Sequence, residues 1–385
     1  MRITFLAPGY PWGPSGGIRV VYEYANRLVA RGHQVNVVCP RKLSYLPASP
    51  AGSMRDKLRS LFYDGLSRFR KPSMAWQPID PRVNLLFVPD SHSRHIPSGD
   101  AIFATSWHTV ESVLKCPGSK GLKCYLIQGY ETWQGAKDLV DATWRAPLHK
   151  VVIAKWLLEL GKELGCNDLT YIPNAVNHDR YRLVSPIEGR RRQIAMVFSP
   201  APIKGSADGI EAIRIAKAKY PDLAVVFFSA SRRTSSVPNW VSYYRNPSQE
   251  FIINEIYNKS QIFLAPSLTE GWGLPPAEAA CCGCALVATD SGGVREYIED
   301  GVTGLLSPPK DPVQLARNLC LLLENEGLRQ RLASNANRAV RQFSWERSAS
   351  FLEQFLLERV TPPAGEFPKY EMSARSDGEQ REQTP

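Results

Sequence analysis

The sequence predicts an α/β protein with two domains, each built on a parallel β-sheet. The first observation is a strand, loop, helix and strand in order over residues 2–39, and the second is a restart of the same pattern near residue 193. The third is length, because 385 residues suffice for about two ordinary domains. Units of this kind form parallel sheets that bind ligands at the carboxyl ends of their strands.

The first unit is defined by its apolar pattern and its glycines. Residues 2–7 form an apolar strand, and residues 8–17 form a loop rich in proline and glycine. Apolar residues then recur at helical spacing over residues 18–29, and Gly32 ends the predicted helix. Residues 35–39 follow as a second strand. This order predicts the first parallel pair of the sheet.

The second unit repeats this order with a strand at 193–198, a helix at 205–220 and a strand at 223–228. Residues 183–192 contain proline, glycine and three consecutive arginines, a composition typical of an exposed connection. We therefore place the domain boundary there. The predicted units are an amino-terminal domain at 1–185, a carboxyl-terminal domain at 190–342, a last helix at 343–358 and a disordered tail at 361–385.

Composition narrows the class of protein. The chain is 43% apolar and 22% charged, as in a folded globular protein. It has no apolar run of about eighteen residues and no signal-peptide core, so we expect a cytoplasmic protein, soluble or peripheral to a membrane. The eight cysteines lack the spacing of a zinc finger and are expected to be reduced residues of the core.

The formal charge of +10 favours an anionic partner. Much of this excess lies in residues 41–71, which contain eight basic and two acidic residues. The apolar residues of this segment share one helical face, as in helices that lie on anionic membranes. A helix that covers the sheet and exposes a basic face explains the pattern equally. No nucleic-acid partner is expected, because the sequence has no helix-turn-helix signal and no aromatic-interleaved basic platform.

Residues 261–280 carry the most informative pattern of the chain. An apolar strand leads into a loop with two glycines, Gly271 and Gly273, and two prolines follow in the first turn of a helix. Glycines let the backbone approach a ligand closely, and the free N–H groups of a helix start attract negative charge. The stretch therefore predicts an anion site.

Two glutamates flank this predicted anion site, Glu270 in the loop and Glu278 one turn into the helix. A carboxylate does not bind phosphate, but it accepts hydrogen bonds from hydroxyl groups. A nucleoside diphosphate sugar has the matching layout, with a diphosphate between ribose and hexose. One glutamate for each sugar is our interpretation.

These residues, with Gly283, Gly292-Gly293, Glu296 and Asp300 after them, resemble the donor-binding half of family 4 retaining glycosyltransferases, of the type that builds bacterial surface polysaccharides. Gly16-Gly17, residues 172–176 and Lys204-Gly205 occur in the same order as the family's motifs. The resemblance covers residues 1–358. It implies the GT-B fold, in which two Rossmann-like domains face each other across a cleft and the last helix crosses back to the first domain.

The resemblance also implies residue roles. Glu278 would bind the ribose, Glu270 would bind the transferred sugar, and Lys204 would neutralise the diphosphate. The backbone of the loop and of the facing helix start would contact the sugar and the diphosphate, through Gly271, Trp272, Gly273, Leu274, Gly16 and Gly17. The catalytic residues implied are Lys204 and Glu270, since a fixed cation stabilises a departing diphosphate.

The sequence departs from the family pattern in three places, at Ser199, at Gln128 and at His108. Ser199 stands where the family has a phosphate-binding arginine, and Arg19, Arg232 or Arg233 could replace it. Gln128 stands where many members have a histidine that faces the transferred sugar. His108 and Glu131 are candidates for the acceptor side of the cleft.

The expected function is metal-independent transfer of a hexose from a nucleoside diphosphate sugar to a saccharide hydroxyl, with retention at the anomeric carbon. No cofactor is expected, and no metal, because no Asp-x-Asp signature occurs. The basic segment favours a lipid-linked acceptor at the inner membrane face. A nucleotide-sugar epimerase of the same fold and a non-catalytic subunit that binds nucleotide-sugar remain alternatives.

Overall fold

A computed structural model describes residues 1–11, 13–44 and 76–360. In these residues the chain forms two parallel β-sheets, one of seven strands and one of six, with helices packed against them. The predicted fold class is confirmed. Most of the basic segment at 41–71 and all of the tail at 361–385 lie outside the described residues.

The first sheet has the strand order β3-β2-β1-β4-β5-β6-β7, and every neighbouring pair is parallel. Its interior strands are short apolar runs, because both faces of a parallel sheet are covered. The strands are β1 (Arg2–Leu6), β2 (Gln34–Lys42), β3 (Asn84–Asp90), β4 (Ala101–Ala104), β5 (Leu122–Ile127), β6 (His149–Val152) and β7 (Leu169–Tyr171). The helices of this half are α1 (Gly16–Ala30), α2 (Trp107–Leu114), α3 (Lys137–Arg145) and α4 (Lys155–Glu163).

The second sheet has the order β10-β9-β8-β11-β12-β13, again with parallel pairs. Its strands are β8 (Gln193–Val197), β9 (Ala224–Ser229), β10 (Ser242–Arg245), β11 (Ile262–Ala265), β12 (Ala285–Thr289) and β13 (Leu305–Ser307). Its helices are α5 (Ser206–Lys219), α6 (Leu274–Cys281), α7 (Pro312–Glu324) and α8 (Glu326–Val340), and a helical stretch with a central π turn spans 249–259. Seven of the eight cysteines are buried in the described core.

Helix α1 begins at Gly16, two residues before the predicted start at residue 18. Ser15 has the extended backbone of an N-cap residue, and Gly16 and Gly17 form the first turn. Apolar periodicity could not place this start, because glycine has no side chain to show which face is buried. The consequence is that the two glycines present helix N–H groups rather than loop backbone.

The last helix, α9 (Trp345–Val360), leaves the second domain and packs against the first. The ring of Trp345 meets the ring of Tyr24 edge to face, with 5.4 Å between centroids. Arg31 and His33 both contact the carboxylate of Glu353, each at 2.8 Å. The helix therefore ties the two domains together. None of the described helices is long and apolar enough to cross a membrane.

Candidate functional site

The two domains contact each other where the carboxyl ends of their strands meet. The indole N–H of Trp156, on α4, donates to the carbonyl of Gly271 at 2.9 Å, and the backbone N–H of Lys155 donates to Glu296 at 2.6 Å. A Cβ atom added to Gly16 would lie 3.9 Å from a methyl group of Leu274. These contacts set the start of α1 opposite the start of α6, across one cleft.

The start of α6 is shaped by its glycine and prolines. Gly273 is the N-cap and has φ +86°, a conformation that other residues rarely adopt. Pro275 follows in the first turn, where its missing N–H costs no helix hydrogen bond. Neither α1 nor α6 has an acidic residue in its first turn. The positive ends of the two helices are therefore not neutralised locally, and an anion between them would be stabilised by both.

Lys204 and Glu270 lie together at this cleft. The ammonium of Lys204 is 2.7 Å from the carboxylate of Glu270, and the two side chains are 41% and 19% exposed. Lys204 ends a single 3-10 turn, and Gly205 follows it with φ +57°. A Cβ on Gly205 would lie 1.9 Å from the carbonyl oxygen of Pro266, so only glycine lets this turn pack against the loop that carries Glu270.

Glu278 is buried inside the same cleft. Its side chain is 7% exposed and pairs with the guanidinium of Arg19, which reaches across from α1 in the other domain. The hydroxyl of Tyr257 donates to the second carboxylate oxygen at 3.4 Å. Burial raises the pKa of the Glu278 carboxyl, and the charge of Arg19 beside it opposes that rise. Arg19 also donates to the hydroxyl of Tyr181 at 3.1 Å.

Gln128, at the end of β5, borders the cleft. A Cβ on Gly17 would lie 3.6 Å from its amide group, and the backbone oxygen of Gln128 faces Gly271 directly. Its amide N–H donates to the carbonyl of Thr105 at 3.3 Å. Gln128 therefore lies between the two helix starts, within reach of a ligand bound there.

His108 and Glu131 lie next to each other and share Ser106. The Ser106 hydroxyl is 3.2 Å from a ring nitrogen of His108 and donates to the Glu131 carboxylate at 3.2 Å. The backbone N–H of Trp107 also donates to Glu131, at 3.0 Å, so this carboxylate caps the start of α2. Burial raises the pKa of Glu131, although these two donors act to lower it, and burial lowers the pKa of His108. In this structure Glu131 caps α2, and the ring of His108 packs against the ring of Trp107 with 4.0 Å between centroids and a tilt of 35°.

A cavity of about 790 Å³ opens beside Arg19, and no sequence motif indicates it. It is lined by Arg19, Arg180 and Arg182 and by the segment that follows β10, including Asn246 and Gln249. Asn246 has φ +48°, an uncommon conformation for a residue other than glycine. The only signal in the sequence was the position of this segment at the carboxyl end of a strand.

Comparison with known proteins agrees with this architecture. Residues 179–339 match the family model described as glycosyl transferases group 1. The phosphatidyl-myo-inositol mannosyltransferase of Mycobacterium tuberculosis is 26% identical over 393 aligned positions, which cover 91% of this chain and 95% of that protein. The D-inositol 3-phosphate glycosyltransferase of Salinispora tropica is 39% identical over 97 residues, 25% of this chain and 20% of that relative's length. This chain is similar to group 1 glycosyltransferases.

Solved structures share the whole fold. HepE of Anabaena, solved in complex with UDP-glucose, superposes with a TM-score of 0.68 at 16% identity and covers 92% of this chain and 99% of its own. Sucrose-phosphate synthase of Thermosynechococcus elongatus superposes with a TM-score of 0.67 at 16% identity, with 92% and 98% covered. Both superpositions extend over 92% of this chain, which includes both of its sheets, so the architecture is the GT-B fold.

Proposed function

We propose that this protein is a retaining hexosyltransferase that uses a nucleoside diphosphate sugar and transfers the hexose to a hydroxyl of a saccharide acceptor. The observation that carries the proposal is the pair of helix starts that face each other across the cleft, with Lys204, Glu270 and Glu278 around them. This arrangement suits a diphosphate between two polyhydroxyl groups. The UDP-glucose complex of HepE supports a sugar-nucleotide donor, and the names of the relatives support transfer.

In the proposed reaction the acceptor hydroxyl attacks the anomeric carbon on the face from which the diphosphate departs. The bond between this carbon and the phosphate oxygen breaks, and the hydroxyl proton passes to an oxygen of the leaving diphosphate. Configuration is retained because attack and departure share one face. Lys204 and the N–H groups of the two helix starts stabilise the charge that develops on the diphosphate. Gln128 orients a sugar hydroxyl and exchanges no proton.

A donor screen tests the function. Thermal unfolding is measured with UDP-, GDP- and dTDP-sugars, and the best donor is then incubated with the protein alone and with saccharide acceptors. We expect a rise in unfolding temperature with one nucleotide class and transfer only when acceptor is present. An epimerised sugar nucleotide formed from donor alone would support the epimerase instead. Binding without any transfer would support a non-catalytic subunit.

Transfer is expected to be independent of divalent metal, because Lys204 and the two helix starts already provide positive charge at the diphosphate. Among residues 1–11, 13–44 and 76–360 no group of three potential metal-ligating side chains occurs. The measurement is the transfer rate after treatment with EDTA, which we expect to stay within about twofold of the untreated rate. Loss of activity in EDTA and its recovery with Mg²⁺ or Mn²⁺ would contradict this view of the site.

The proposed acceptor is lipid-linked and is met at the inner membrane face, with the basic segment at 41–71 as the membrane contact. We expect the full chain to sediment with anionic vesicles and a variant lacking residues 53–71 to lose that sedimentation. Vesicles of neutral lipid are the control, since the attraction is electrostatic. Retained sedimentation of the deletion variant would exclude this segment as the anchor.

A further inference from the structure

The charges of the cleft form two ion pairs. Lys204 pairs with Glu270 inside the second domain, and Arg19 pairs with Glu278 between the domains. Both carboxylates are the groups proposed for sugar hydroxyls. Arg19 lies on α1 and reaches Glu278 on α6, and Lys204 contacts the loop that leads into α6. A nucleoside diphosphate sugar therefore competes with these ion pairs for the carboxylates, while it brings two negative charges that need cations.

Arg19 is well placed to provide one of these cations. It lies in the first turn of α1 with Gly16 and Gly17, and its guanidinium reaches Glu278, which is one turn into the facing helix. The other two arginines that could replace the arginine absent at position 199 have other contacts or are exposed. Arg233 donates to the carbonyl of Pro238 at 2.6 Å, and Arg232 is exposed.

The partners of Arg19 also explain how it could move between two positions. Its side chain is 19% exposed and lines the cavity of about 790 Å³, so there is open space beside it. Glu278 keeps a second donor, Tyr257, on its other oxygen. Vicinal ribose hydroxyls could therefore replace the guanidinium on Glu278 without leaving the buried carboxylate unpaired.

We propose that Arg19 exchanges partners when the donor binds, leaving Glu278 to the ribose hydroxyls and pairing with the diphosphate, so that it replaces the cation absent at Ser199. This inference rests on the proposed function and adds to it the residue that senses the diphosphate. On this proposal Arg19 competes with the ribose hydroxyls for Glu278 and binds the phosphates directly. Removal of the Arg19 charge should therefore weaken binding of the diphosphate but not binding of the ribose.

The test compares a nucleoside diphosphate with its own nucleoside, using the base selected by the donor screen. For Arg19→Gln we expect the Kd of the diphosphate to rise about 10- to 100-fold, the range for loss of one hydrogen-bonded charge. The Kd of the nucleoside should stay equal or fall, because Glu278 has lost its competing cation. Arg19→Lys keeps the charge and should restore most of the affinity for the diphosphate.

The matched control is Arg27→Gln, since Arg27 lies on the same helix and pairs with Glu23 and, at 3.3 Å, with Glu346. Its ratio of the two dissociation constants should equal that of the wild type. If Arg19→Gln weakened binding of the diphosphate and of the nucleoside equally, or changed neither, the exchange of partners by Arg19 would be wrong. The proposed function would still stand. Failure of the wild type to bind any nucleotide would overturn the proposed function itself. Circular dichroism of both Arg19 variants checks that they are folded.

Discussion

Replacement of Lys204 by alanine is expected to lower kcat about 10²- to 10³-fold, the loss typical of one preorganised electrostatic contact to a developing charge. The ammonium of Lys204 is 2.7 Å from the carboxylate of Glu270, in the loop that leads into α6. The variant therefore loses a cation for the leaving diphosphate and leaves Glu270 without its partner. The cleft thereby becomes more negative by one charge. The measurement is kcat and KM with the donor selected by the screen.

A second variant separates the two effects. Glu270→Ala is expected to lower kcat by a similar factor of about 10²–10³, because we propose that Glu270 binds the transferred sugar. If Lys204 acted only by neutralising Glu270, the double variant would be no slower than Glu270→Ala alone, whereas independent roles would multiply the two losses. The matched control is Lys162→Ala, since Lys162 pairs with Glu159 at 2.8 Å on the surface of α4. Near-wild-type turnover of Lys204→Ala would remove this residue from the site.

The fold was predictable where the signal is local. The apolar periods of 2–39 and 193–228 fix strands and helices within a few residues, because each depends on neighbours in sequence. The strand order of the sheets depends on pairing between distant segments, and no local pattern encodes it. The π turn at Ile252–Ile256 was likewise not predicted, since its composition does not differ from that of an ordinary helix turn.

The candidate site, too, was predictable only where its residues are close together in sequence. The loop and helix at 261–280 form one continuous cassette, so the sequence alone indicates an anion site between two carboxylates. The pairing of Arg19 with Glu278 joins residues separated by 259 positions, and only the packing of two domains creates it. The capping role of Glu131 has the same origin, because it depends on where the loop after β5 crosses the start of α2.

Gly271 illustrates how tightly the two domains approach at this cleft. A Cβ atom at this position would lie 1.9 Å from the backbone oxygen of Gln128 and 2.9 Å from its carbonyl carbon. Contacts below 3.0 Å are essentially never seen for a real Cβ, and both atoms belong to backbone, which cannot rotate away. A side chain at Gly271 must therefore push the loop and Gln128 apart. The hydrogen bond from Trp156 to the carbonyl of Gly271 would be strained as well.

For Gly271→Ala we accordingly expect kcat to fall about 10²-fold, since a displacement of about 1 Å is enough to cost that factor when reacting groups must align. The fold of each domain should survive, because the clash lies between the domains and not within a core. The measurements are kcat and the thermal unfolding temperature. The matched control is Gly118→Ala, where no atom lies within 4 Å of the added Cβ and activity should not change. Wild-type kcat in Gly271→Ala would show that the reaction does not require this close approach of Gly271 to Gln128.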